Sequence, residues 1–147
     1  MQHFYNFFID FHIVFSILFL IVALFITVHS LLGWIQHKAY GNFADRLRSV
    51  FLFFLYGDLV LGIILYFFLQ KPEELITAQE AMKFSSLRFW AIQHFSNMIF
   101  VVGLSVIGSM FVKRTASTIK KYKYSFLYFG ISTLIIIISV GFFALRK

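Results

Sequence analysis

The chain has no cysteine, a single proline, and only six acidic residues against thirteen lysines and arginines in 147 positions. Without cysteine there is no disulfide, no thiolate-ligated iron–sulfur cluster, no CxxCH attachment of haem and no thiol nucleophile. Any metal or cofactor chemistry must therefore rest on His, Asp, Glu or Tyr. Charge is scarce as well, with 13% charged residues against 61% hydrophobic ones and a mean hydropathy of +0.87. So few charges cannot cover a water-soluble domain of this length without leaving large apolar patches, so the sequence reads as an integral membrane protein. It also lacks a Gly-rich phosphate loop, a nucleophile elbow, an HExxH pair and a paired-carboxylate motif, which argues against hydrolytic and phosphoryl-transfer chemistry.

What is present is four apolar stretches, Phe8 to Trp34, Val50 to Leu69, Phe89 to Val112 and Tyr124 to Leu145. Each has about the 20 residues a helix needs to cross a bilayer core. Backbone groups in lipid must be satisfied within the segment, so the expected fold is all-α, a four-transmembrane-helix bundle forming one membrane domain over residues 1–147. The segment before the first stretch has no base, and the apolar run is too long for a signal-peptide core, so the first span is expected to be retained. Lys38, Arg46 and Arg48 follow span one, and Lys113, Arg114, Lys120, Lys121 and Lys123 follow span three. Because bases favour the cytoplasmic side, both termini are expected on the outer, periplasmic side of a bacterial inner membrane. The net charge of +7 is thus a topology signal with scope for anionic-lipid contact, and no nucleic-acid partner is expected. Pro72 followed by Glu73 and Glu74 predicts the start of a short interfacial helix carrying Leu75, Ile76, Gln79 and Met82.

Two histidines stand at similar depth near the outer ends of inward-running spans, His12 in span one and His94 in span three. Steps of three and four from His12 reach Ser16, Ala23, Thr27 and Ser30. From His94 they reach Asn97, Val101, Ser105 and Gly108. Such small and polar stripes mark helix–helix seams in membranes, so both imidazoles are expected to point into the bundle. Ser125, Tyr128, Ser132 and Ser139 draw a stripe on span four, and Asp58, Gly62 and Tyr66 one on span two. Facing imidazoles at matched depth are what the two axial positions of a b-type haem require, so His12 and His94 are candidate metal ligands. The plainer alternative is that they are inter-helix hydrogen-bonding residues with no cofactor. Arg88 is placed to pair with a haem propionate, with Lys83 as a weaker candidate, although Arg88 and Trp90 also suit an ordinary interfacial anchor. Asp58 is costly in the middle of an apolar span. His29 is the candidate partner for a proton-handling pair, and the favoured, plainer reading is a neutral Asp58 hydrogen-bonded to a neighbouring hydroxyl such as that of Thr27 or Ser132. His3 and His37 lie outside the core and receive no role.

The His12 segment, Ser30-Leu31-Leu32-Gly33-Trp34, Leu61-Gly62-Ile63-Ile64-Leu65-Tyr66-Phe67, and Leu87-Arg88-Phe89 followed by His94 resemble a family of small four-span membrane proteins of Bacteroidetes labelled cytochrome b-like. The likeness runs over most of the chain, on motifs that are short and apolar apart from the histidines and Arg88. It implies a membrane haem protein or electron-transfer subunit, with His12 and His94 at histidine positions of the family. The family carries a further span-two histidine where this chain has Tyr56 and Asp58, and position 56 is expected to lie too deep to join the other two. The expected function is electron transfer through haem b between spans one and three, exchanging electrons with a quinone or a redox protein. Its rivals are a cofactor-free small subunit among other membrane subunits of a larger complex, and proton or ion movement through Asp58 and His29.

Overall fold

The computed structural model describes residues 2–69 and 89–145, and every described element is helical. Helix α1 spans Gln2–Ile35, α2 Asn42–Ile64, α3 Phe95–Arg114 and α4 Thr118–Leu145. A π-helical turn, Leu65–Leu69, continues α2, and another, Phe89–His94, leads into α3. All four helices are long and apolar enough to cross a membrane, and the chain is a multi-pass transmembrane four-helix bundle. The short interfacial helix expected after Pro72, together with Lys83 and Arg88, lies outside the described residues.

The helices extend beyond the apolar stretches at the end of the bundle where the short loops lie. Helix α2 begins at Asn42 rather than Val50, and α4 at Thr118 rather than Tyr124. Hydropathy marks the lipid-crossing part of a helix, whereas backbone hydrogen bonding carries it on into the polar layer. In that layer Arg48 is buried, with Nη1 donating to Ser109 Oγ at 2.8 Å and Nε and Nη2 both donating to Asp45 Oδ1. This ties α2 to α3. Tyr40, in the first loop, has its hydroxyl buried beside Arg48 and Ser125. Burial holds that phenol above its ordinary value, so it stays neutral.

Helix α1 packs against α2 and α4, while α3 packs against α4 and more lightly against α2, leaving α1 and α3 diagonal across the bundle. Mid-bundle, the core is Phe19, Ala23, Ile26, Phe51, Leu55, Met98, Val101 and Phe129, with the Phe51 ring tilted against those of Phe19 at 5.4 Å and Phe129 at 4.7 Å. The outward faces stay apolar, as at Phe7, Ile21, Phe53 and Phe100, which suits hydrocarbon rather than water. The small and polar stripes face inward: Ala23, Ser30, Val101, Ser105, Gly108, Ser125 and Ser132 are all buried. Between α3 and α4, Ser105 and Ser132 hydroxyls lie 3.1 Å apart, and Asn97 Nδ2 donates to Ser139 Oγ at 2.7 Å. In lipid such contacts contribute about 0.6 kcal/mol on average, so close backbone packing carries the larger share.

Helix α1 ends with Lys38 N donating to the Gly33 carbonyl and His37 N to that of Trp34, a Schellman closure with His37 in the left-handed region at φ 50°. A side chain there costs about 1–2 kcal/mol that glycine avoids. His37→Gly is therefore expected to raise the thermal midpoint in detergent, corresponding to stabilisation of up to about 1 kcal/mol once the loss of chain entropy is offset.

Candidate functional site

At the end of the bundle that holds both termini, a cavity of about 270 Å³ is lined by His12 of α1, by Asp58, Leu59, Gly62, Tyr66 and Phe67 of the α2 segment, and by His94, Phe95 and Met98 of the α3 segment. That volume is near the lower end of the roughly 300–1,000 Å³ found for small-molecule sites, and the lining has their character, an apolar wall with a few convergent polar groups. Diagonal placement of α1 and α3 puts the two histidines on opposite sides of the bundle interior, with α2 as the wall between. Both π-helical turns border the cavity, Tyr66 and Phe67 belonging to one and His94 closing the other. Such turns are rare and recur at functional sites, because the extra residue per turn re-aims the side chains around it.

The polar part of the cavity is built around Asp58, which is 5% exposed. Its Oδ1 lies 3.1 Å from His12 Nδ1. Ser16 Oγ is 2.5 Å from the same Oδ1 and 2.8 Å from the His12 carbonyl, so its one proton is shared between a carboxylate and a backbone acceptor. The carboxylate stands off the line of the imidazole N–H, so the His12 contact is electrostatic rather than an aligned hydrogen bond. Nδ1 is otherwise buried without a partner. His94 completes the polar lining from the α3 side of the cavity. Ser16 faces the carboxylate and not a free imidazole nitrogen, so this trio lacks the base-to-hydroxyl contact of a hydrolytic triad.

The structure thus brings His12 and His94 to one cavity, as their depth and helical phase suggest, and corrects the reading of Asp58. Its partners are His12 and Ser16, not His29, Thr27 or Ser132. His29 is 17 residues along α1 from His12, about 25 Å at 1.5 Å per residue. It sits among the rings of Phe25, Phe43 and Tyr122 near the short loops. Thr27 and Ser132 donate to carbonyls one turn back in their own helices, those of Ala23 and Tyr128. Because α2 starts at Asn42, Asp58 is sixteen residues up the helix and reaches the level of His12. For the same reason the α2 segment around position 56 is not too deep to meet the histidines, although Tyr56 itself is exposed on the outer face. The cavity is also not a two-helix site, since α2 supplies most of its lining. Ser16 is the contributor that sequence reasoning placed on the seam without assigning to the site; it lies one turn after His12 on the same face. Arg88 lies outside the described residues.

A b-type haem, the cofactor expected from the sequence, is compatible with this donor set. Two imidazoles are present, and one of them has its Nδ1 against a carboxylate, the arrangement in which the other ring nitrogen is left to ligate a metal. Gly62 keeps the wall open, since a Cβ there would come 3.9 Å from His12 Cε1 and project into the same space. Among the described residues no group of three or more His, Asp or Glu side chains is placed to hold a metal ion. Comparison of the chain with protein-family models, with curated proteins and with solved structures finds no match.

Proposed function

We propose that the protein is a membrane-embedded b-type haem protein that transfers electrons, with His12 and His94 as the residues that would hold the haem. The observation that supports this reading most is the convergence of two histidines from diagonal helices on one apolar-walled cavity. When bound, the haem supplies the one-electron chemistry. The chain's own residues do the rest. His12 would offer Nε2, because its Nδ1 faces Asp58 Oδ1 at 3.1 Å. Leu59, Phe67, Phe95 and Met98 exclude water from the cavity, and Ser16 fixes the carboxylate. Arg88, by sequence position, is the candidate for a propionate contact, and a quinone or a redox protein is the proposed electron partner.

The test is an absorption spectrum of the detergent-purified protein, oxidised and dithionite-reduced, with haem quantified per chain. A Soret band with sharp reduced α and β bands is expected. A colourless protein after expression with ample haem, copurifying with larger membrane subunits, would overturn the reading in favour of a cofactor-free subunit. Cavity space gives an independent check. Gly62→Ala is expected to keep haem, since its Cβ meets only an ordinary contact with His12. Gly62→Phe is expected to lower haem occupancy about ten-fold or more by filling the site.

We further propose the bacterial inner membrane as its location, with both termini outside. The basic residues Lys38, Arg46, Lys113, Arg114 and Lys120 gather at the short-loop end, which supports a cytoplasmic placement of that end. The cysteine-free background makes this direct to test. In intact cells an impermeant maleimide should label His3→Cys but spare Gln36→Cys and Ala116→Cys until the inner membrane is opened.

A further inference from the structure

We infer that Asp58, held by Ser16, is the positioning residue of His12. It keeps the imidazole proton on Nδ1 and turns the lone pair of Nε2 into the cavity. This inference rests on the haem reading for its purpose but on the geometry of three side chains for its content.

A neutral imidazole has one N–H donor and one lone pair, and the surroundings decide which nitrogen holds which. Nδ1 of His12 is buried, and among the described residues the polar atom placed against it is Asp58 Oδ1 at 3.1 Å. That oxygen also lies within reach of the Ser16 hydroxyl proton. An oxygen that accepts from Ser16 presents lone pairs to His12, and two facing lone pairs repel. The stable arrangement therefore has the proton on Nδ1. Alignment of this N–H with the carboxylate needs only a turn of the imidazole about χ2, a broad torsion with a small cost. The remaining nitrogen, Nε2, is then the ligating one.

The carboxylate is costly where it stands. Asp58 is 5% exposed in an apolar helix, and its neighbours Leu55 and Leu59 on the same side contribute nothing to solvate it. A purely structural polar contact would be met by a neutral Asn or Ser at lower cost. An anion on the back of a ligand imidazole does what a neutral group does weakly: it makes the ring a stronger electron donor and fixes its orientation. With a metal held at Nε2, it would favour the oxidised state of that metal.

The experiment has two arms. In the first, the haem-free chain is labelled with 15N-histidine and His12 is read by NMR in detergent micelles, assigned by its loss in His12→Gln. The Nδ1–H tautomer is expected, and Asp58→Leu should move it to Nε2–H or to a mixture. An Nε2–H tautomer in the native chain, or no change in Asp58→Leu, overturns the inference. In the second arm haem is titrated into the native chain, Asp58→Asn, Asp58→Leu and Ser16→Ala. Haem affinity should fall about 10–100-fold in Asp58→Leu and less in Ser16→Ala. Asp58→Asn, which keeps the shape and the acceptor oxygen but not the charge, should retain haem at a raised midpoint potential. Unchanged affinity in Asp58→Leu together with an unchanged potential in Asp58→Asn also overturns it. Should Asp58→Leu fail to fold, Asp58→Asn and Ser16→Ala decide through potential and tautomer. Failure of the native chain to take up haem would remove the proposed function, whereas the tautomer measurement judges the role of Asp58 toward His12 separately.

Discussion

Replacing His94 with alanine is expected to leave the purified protein without stable haem, with the Soret absorbance per chain falling about ten-fold or more, because His94 is one of the two residues proposed to hold it. His12→Ala should do the same, and the double variant should be colourless. The two positions differ in their neighbourhoods, however. His12 stands against Asp58, so its removal strands a buried carboxylate with Ser16 as its remaining hydrogen-bond partner. Loss of a polar neighbour from a buried carboxyl group costs about 1–3 kcal/mol. His12→Ala should therefore lower the thermal midpoint as well as haem occupancy, and His12→Ala/Asp58→Leu should recover part of the stability without recovering haem. Spectra and melting curves of the four variants separate the two effects. Haem retained at native stoichiometry in the double histidine variant would exclude these residues as ligands.

The second large effect belongs to the seam between α3 and α4. Gly108 of α3 is buried against Tyr128 of α4, and a Cβ at position 108 would collide with Tyr128 Cβ and Cγ. Those atoms are tied to the α4 backbone and cannot swing aside as the tip of a side chain can. Gly108→Val must therefore push the helices apart, which costs roughly 1–3 kcal/mol or more for overpacking. It also weakens the nearby Ser105–Ser132 contact. Gly103, by contrast, would meet nothing within 4 Å, so Gly103→Val should be close to neutral. A thermal or denaturant scan in detergent micelles that finds the two variants equally stable would refute this account of the seam. Gly33 is an intermediate case, since its added Cβ would meet the Tyr122 ring, whose hydroxyl is fixed to the Ala39 carbonyl.

The parts of this protein legible in the sequence are those that depend on one helix at a time. Four apolar runs require four membrane-crossing helices, because lipid offers no partner for an unpaired backbone group. The same one-helix logic aligned Ser16 with His12 and Val101, Ser105 and Gly108 with His94, and these faces do turn inward. The register between helices was not legible. Whether Asp58 meets His12 or His29 depends on where α2 begins, and hydropathy places that start eight residues late because Asn42 to Ser49 is polar yet helical. At 1.5 Å per residue that is about 12 Å of depth, enough to exchange one partner for another.

Composition and periodicity act locally along the chain, so they suffice for the class of molecule, the number of spans, the inward faces and the exclusion of cysteine chemistry. Only the tertiary structure decided that Asp58, Ser16 and His12 form one group, that α2 walls the cavity, and that His29 stays with aromatic rings at the opposite end. The reason is geometric. A contact between helices is fixed by their relative sliding and by π-turns such as Leu65–Leu69 and Phe89–His94, which re-aim the side chains around them. Both are settled by packing across the bundle, where a buried carboxylate, a hydroxyl and an imidazole find each other at the lowest cost in a medium that offers them little else.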